Sequence, residues 1–255
     1  MKNNRILRTM IALLILLAFF FVQGAAAVAG HLEGTTSALV RGGIIWLLVI
    51  CTLLYFAVRH KSIAVLRFCR PKEGSLKKLL FCVPLIVIAL SHFAAGPASG
   101  LSIGLFAADL FLTLSIGMAE EIYFRGIICN VWLEKGPYKA MVISSVLFGI
   151  SHLMNIAGGA GVIATLLQIC FAFIYGLVFA LIFIRSGSLI PGILLHALHD
   201  MCSFISADGT VTVNVVLGAV QTLILVIYFV YLMKDGLSPL RYAHDDTTHT
   251  LKAEK

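Results

Sequence analysis

LSIGLFAADLFLTLSIGMAEEIYFRG, residues 101–126, decides the fold class. An apolar run from Leu101 to Met118 leads directly into Glu120, Glu121 and Arg125. An ionisable group inside a membrane span costs roughly 2.5–3.5 kcal/mol on insertion scales, so such residues face a protein interior or a wet cavity and mark function. Three of them within six residues make a site the default reading of this stretch.

The rest of the chain has the same character. Hydrophobic residues make up 60% of it and charged residues 12%, against roughly 25% charged in a soluble domain, and the mean hydropathy is +1.01. A helix needs about 20 apolar residues to cross about 30 Å of hydrocarbon. Runs near that length fall at 6–29, 39–58, 79–95, 101–133, 139–155, 162–184, 189–205 and 211–233. The expectation is therefore an all-α, polytopic membrane bundle with about eight transmembrane helices. Its divisions are N-terminal helices over 1–100, a core carrying the polar residues over 101–205, a last transmembrane helix over 206–240 and a cytoplasmic tail over 241–255.

The formal charge of +7 does not point to nucleic acid, because the basic residues are spread over alternate connections. Arg59, Lys61, Arg67, Arg70, Lys72, Lys77 and Lys78 fill the second connection, and Lys135, Lys139, Arg185, Lys234 and Arg241 follow in later ones. The intervening connections hold almost no Lys or Arg, so the positive-inside rule places both termini in the cytoplasm. The first segment has a basic start, an apolar core and the small residues of Ala25–Ala29, which also describe a cleavable signal peptide; its length favours a retained helix. Six cysteines without CxxC spacing read as mostly buried free thiols. The tail residues His244, Asp245, Asp246 and His249 read as a solvated end.

Spacing then gathers the polar residues. Glu134-Lys-Gly-Pro137 signals a turn between two helices. Glu120 lies sixteen residues before Gly136 and His152 sixteen after it, so at 1.5 Å per residue both stand about 24 Å from the turn and can meet. His196 and Asp200 share one helix face at i,i+4. Counted from the break Arg185-Ser-Gly-Ser188, His196 is shallower than the other two by about 10 Å. Glu121 precedes Arg125 at the favoured i,i+4 spacing and reads as a structural ion pair, which leaves Glu120 for chemistry. Phe148 packs beside His152, Asn155 orients its ring or ends its helix, and His92 and His199 read as core histidines.

Peptide hydrolysis needs an activated water, a group to take its proton and donors for the oxyanion. Glu120 with His152 can hold and deprotonate water, and His196 can donate to the oxyanion. Asp200, which as a carboxylate only accepts, orients His196, carries a proton or binds metal. Glu120, His152, His196 and Asp200 are equally acceptable zinc ligands, so no cofactor and a zinc site both stay open. There is no HExxH, and Pro97-Ala-Ser-Gly100 falls short of GxSG. A non-enzymatic immunity or binding protein, or a proton-coupled transporter, is the alternative use of the same cluster.

Three motifs in order resemble the CAAX protease and bacteriocin-processing family of intramembrane proteases, also called CPBP or Abi. Its EExxxR is similar to Glu120, Glu121 and Arg125, its FxxxH to Phe148 and His152, and its HxxxN/D to His196 and Asp200. The resemblance covers roughly 101–205. It implies that Glu120 and His152 activate water, while His196 and position 200 stabilise the oxyanion. Members are described as metalloproteases, although the eukaryotic-type branch favours a glutamate mechanism without metal. Asp200 departs from the commoner Asn. Eukaryotic-type members trim prenylated CAAX proteins, and bacterial ones serve bacteriocin maturation and immunity. The brevity of this chain and its bare termini suggest a multi-pass protein of a bacterial cell membrane acting on a peptide or membrane-tethered protein, its oligomeric state open.

Overall fold

A computed structural model describes residues 3–234, and these fold into helices with no strand among the described residues. The tail histidines and aspartates and the 241–255 division lie outside them. Eight principal helices occupy the eight apolar runs: α1 Asn3–Ala29, α2 Gly34–His60, α3 Val83–Ser91, α4 Ile103–Glu120, α5 Pro137–Ser151, α6 Val162–Ser186, α7 Ile190–Phe204 and α8 Val211–Met233.

Six of these helical segments are long and apolar enough to cross a membrane, the longest being Ile103–Lys135. The other two are short. The stretch Leu80–Ala95 and helix α7, with 15 residues, reach only about 22–24 Å at 1.5 Å per residue, less than the hydrocarbon thickness. The count of about eight transmembrane helices thus resolves into six full-length candidates and two partial ones. The entry to α3 is broken because Leu80, Phe81 and Cys82 all take positive φ, at 52°, 50° and 58°, a conformation uncommon outside glycine that ends the helical hydrogen-bond ladder. Helix α7 is shortened at its start by the turn from α6, where Gly187 (φ 67°) caps α6 and its N–H donates to the Phe183 carbonyl at 2.9 Å. The far ends of the two short helices are clipped together. Ala98 N–H donates to Ile205 O and Ala207 N–H to Gly96 O, each at 2.9 Å, across a Pro97–Ser206 bridge.

Helix α4 does not stop at its charged end. It runs on as a π-helix over Glu121–Cys129, so the change from α to π winding falls between the two glutamates. Such i→i+5 turns are rare and concentrate at functional sites. This stretch is buried except at half-buried Ile127, with Ile122, Phe124, Arg125 and Ile128 fully enclosed. Helices α1 and α5 pack on it, Ser144 of α5 donates to Phe124 O at 2.8 Å, and Tyr123 shares a hydrogen bond with Thr52 of α2 at 2.9 Å. The C-terminal half of α6, from Tyr175 to Ser186, is buried almost throughout, as a helix apolar on every face must be when it lies at the centre of a bundle. By contrast, Val28, Val58 and Val211 stand open on the outside of α1, α2 and α8, as lipid-facing residues do. Cys82, Cys129 and Cys202 are buried free thiols, whereas Cys51, Cys69 and Cys170 are exposed, so the expectation of burial holds for only half of them.

Candidate active site

The site is assembled where α4, α5, α6 and α7 approach one another, and small residues set the approach. A Cβ on Gly117 of α4 would stand 3.0 Å from the Ala197 backbone nitrogen of α7. A Cβ on Gly192 would stand 2.8 Å from Glu121 Oε2, and one on Gly176 of α6 would stand 3.1 Å from the Ser145 Cα of α5. Helix pairs in membranes associate through such close backbone contact. It brings the glutamates at the end of α4 against His196.

His196 is the hub. It is 5% exposed, and its two ring nitrogens face different carboxylates. Nδ1–H donates to Glu121 Oε1 at 3.1 Å, and Nε2 lies 3.3 Å from Glu120 Oε2. Asp200 Oδ2 stands 3.9 Å from the same Nε2, close enough for charge attraction but too long for a hydrogen bond. Rings of Phe148, Tyr175 and Phe179 surround the imidazole with centroids at 5.9, 5.8 and 5.7 Å, all steeply inclined to it.

Glu121 is held from the other side. Arg125, fully buried, donates from Nη1 to the same Glu121 Oε1 at 2.9 Å and from Nη2 to Gly176 O at 3.3 Å. Its guanidinium lies over Phe148 at 4.6 Å from the ring centroid and near Phe179 at 5.6 Å, a cation–π arrangement that strengthens in a dry interior. Its Nε has no hydrogen-bond partner among the described residues. The Glu121–Arg125 pair is formed at the expected spacing. Glu121 also grips His196, a contact the helical spacing does not reveal.

Glu120 and His152, matched in depth by residue counting, are not joined by an ion pair or hydrogen bond among the described residues; Glu120 meets His196 instead. The count took every residue at α-helical rise, yet a π stretch and the 3₁₀ turn Leu133–Lys135 lie between Glu120 and α5, and each alters the rise. His152 caps the end of α5 with its ring edge-on to Phe148 at 5.1 Å. Its Nδ1–H donates to the Phe148 carbonyl at 2.9 Å. A carbonyl only accepts, so Nδ1 carries a proton, and in the neutral form of the ring Nε2 presents a lone pair. Asn155 turns away to donate to Gln168 Oε1 at 2.8 Å and does not orient His152.

His92 and His199 are core histidines that are not fully hydrogen-bonded among the described residues. Their rings pack at 4.7 Å, and His92 Nε2 and His199 Nδ1 are buried without a partner. Asp109, inside the run read as apolar, is 7% exposed and shares its electrostatic environment with Arg41, which donates to Gln23 Oε1 at 2.6 Å. Hydropathy averaged over a span hides a single Asp. Tyr175 and Phe179 carry no sequence signal either, since an aromatic in an apolar helix is ordinary core.

The zinc reading needs at least three donors aimed at one point. Among the described residues no three His, Cys, Asp or Glu side chains form such a group, and both ring nitrogens of His196 already face carboxylates.

Residues 102–202 match the family model for type II CAAX prenyl endopeptidase Rce1-like proteins. The matched segment contains Glu120, Glu121, Arg125, Phe148, His152, His196 and Asp200. No curated protein matches the chain at a significant level.

Proposed function

We propose, from the premise that residues 102–202 form a domain of the CPBP family, that Glu120 and His152 activate the water of an intramembrane endopeptidase and that no metal takes part. The chain is a multi-pass membrane protein with a CAAX-type protease domain; the roles of its residues and its substrate are what we add. The observation that carries the reading is the convergence of Glu120 and Asp200 on Nε2 of the buried His196.

In this reading a water lies between Glu120 and the lone pair on His152 Nε2. Glu120 takes its proton as the oxygen attacks the peptide carbonyl, then returns that proton to the leaving amine. Glu121 and Arg125 fix the Nδ1 side of His196, so the imidazole holds Glu120 in place. Asp200 balances charge on the far side of the ring. The substrate is a membrane-tethered peptide or protein, and by the positive-inside rule both termini of the enzyme face the cytoplasm.

The test uses purified chain in liposomes with a membrane-tethered reporter peptide. Glu120→Gln and His152→Ala should each abolish cleavage with the melting temperature kept. Full cleavage by both variants would sink the protease reading. A chelator should leave the wild type unaffected; loss of activity that only zinc restores would replace the metal-free version with the metal-dependent one.

A further inference from the structure

A peptide-bond hydrolase must hold the carbonyl oxygen as it gains charge, and it does so with N–H or O–H donors fixed beforehand. The donors of this site can be checked one by one. Asp200 as a carboxylate has none. His196 commits Nδ1–H to Glu121, and its Nε2 faces Glu120. His152 commits Nδ1–H to Phe148 O, which in the neutral form of the ring leaves Nε2 without a proton. Arg125 is fully buried behind Phe148 and bound to Glu121 and Gly176, and its Nε, which has no partner among the described residues, is enclosed with it. The nearby hydroxyls of Ser144, Ser145 and Ser151 donate to Phe124, Met141 and Phe148 carbonyls.

Tyr175 is the exception. Its ring is 3% exposed and is held by stacking on Phe179 at 4.2 Å and Phe171 at 5.7 Å, with edge contact to His196 at 5.8 Å. Its hydroxyl makes no hydrogen bond to any of the described residues. The ring lies against His196, whose Nε2 faces Glu120 at 3.3 Å and Asp200 at 3.9 Å, so Tyr175 stands beside the carboxylate cluster.

We propose that the Tyr175 hydroxyl is a catalytic residue of this site, donating the hydrogen bond that stabilises the oxyanion, the role Asp200 lacks the proton to fill. The proposal rests on the protease reading above. In the step it serves, the water oxygen bonds to the carbonyl carbon and the water proton passes to Glu120. The carbonyl π pair moves onto oxygen, where it accepts the Tyr175 O–H bond without taking the proton. Collapse restores the carbonyl, breaks the C–N bond and sends the Glu120 proton to the amine. A phenol stays uncharged at neutral pH, so the donor is present throughout.

Tyr175→Phe keeps the ring and its stacking and removes one oxygen. In the liposome assay, its kcat should fall by about 10²–10³, the loss seen for a single oxyanion donor, with KM and melting temperature unchanged. Wild-type kcat in this variant overturns the proposal while leaving the protease reading intact, provided Glu120→Gln is inactive beside it. A rise in KM with unchanged kcat also overturns it, because that pattern reports lost ground-state binding. Should the Phe variant melt lower, a chain carrying 3-fluorotyrosine at position 175 decides. That ring is nearly the same shape with a stronger donor, and a kcat equal to the wild type's overturns the proposal. If the wild type and Glu120→Gln cleave alike, the protease reading itself has failed.

Discussion

Gly117→Ala tests whether the site depends on backbone contact between α4 and α7. The new methyl would stand 3.0 Å from the Ala197 nitrogen and 3.4 Å from its Cα and Cβ. Ordinary contact begins at 3.4 Å, and the obstructing atom is main chain, which cannot swing aside as a side chain does. The helices must part by the difference, 0.4 Å, unless the methyl is absorbed elsewhere. His196 precedes Ala197, so its contacts of 3.3 Å to Glu120 and 3.1 Å to Glu121 stretch to about 3.7 and 3.5 Å, beyond useful hydrogen bonding. Overpacking of this kind costs about 1–3 kcal/mol. A misplacement of about 1 Å near reacting groups costs about 10²-fold, so this smaller one should lower kcat by about tenfold. The assay is reporter cleavage in liposomes together with thermal denaturation in detergent. Gly43→Ala, where a Cβ meets nothing within 4 Å, is the control and should cleave normally. Wild-type kcat and melting temperature in Gly117→Ala would refute the close-contact argument.

The remaining expectations concern the shell around His196 and the orientation of the chain. Arg125→Met strands a buried carboxylate and should destabilise the fold by about 3–5 kcal/mol; adding Glu121→Gln should recover part of that, and a double variant as unstable as the sum of the singles would show the pair to be uncoupled. Gly192→Ala drives a methyl to 2.8 Å from Glu121 Oε2 and should lower cleavage with little change in expression, checked by steady-state kinetics; unaltered kcat would mean that Glu121 is free to shift. Cys69 is exposed in the basic connection, so a membrane-impermeant maleimide should label it in inverted vesicles and not in intact spheroplasts, with the reverse pattern overturning the cytoplasmic placement.

Much of this protein is written locally in its chain. Apolar runs of about 20 residues specify helices in a bilayer, because hydrocarbon leaves backbone polar groups no partner outside the helix, and all eight principal helices lie within or close to those runs. The turns at Gly136 and Gly187 are equally local. So is the Glu121–Arg125 pair, whose members are neighbours on one face of a helix. What the chain withholds are properties of the assembled bundle. Counting residues set Glu120 and His152 at matching depth, and the structure puts Glu120 beside His196, a contact between helices that no count along one helix records. The shortness of α7 follows from where α6 turns back and where Ile205 is clipped to Ala98. Neither the unpartnered ring nitrogens His92 Nε2 and His199 Nδ1 nor the Tyr175 hydroxyl without a partner among the described residues can be read from hydropathy, which records how a side chain prefers its surroundings and not whether a neighbour arrives to meet it. Sequence alone determined that a charged cluster lies within the membrane and which motifs carry it. Which of its groups touch was decided only by tertiary packing, since the few tenths of an ångström at Gly117, Gly176 and Gly192 that bring them together arise between helices, not along one.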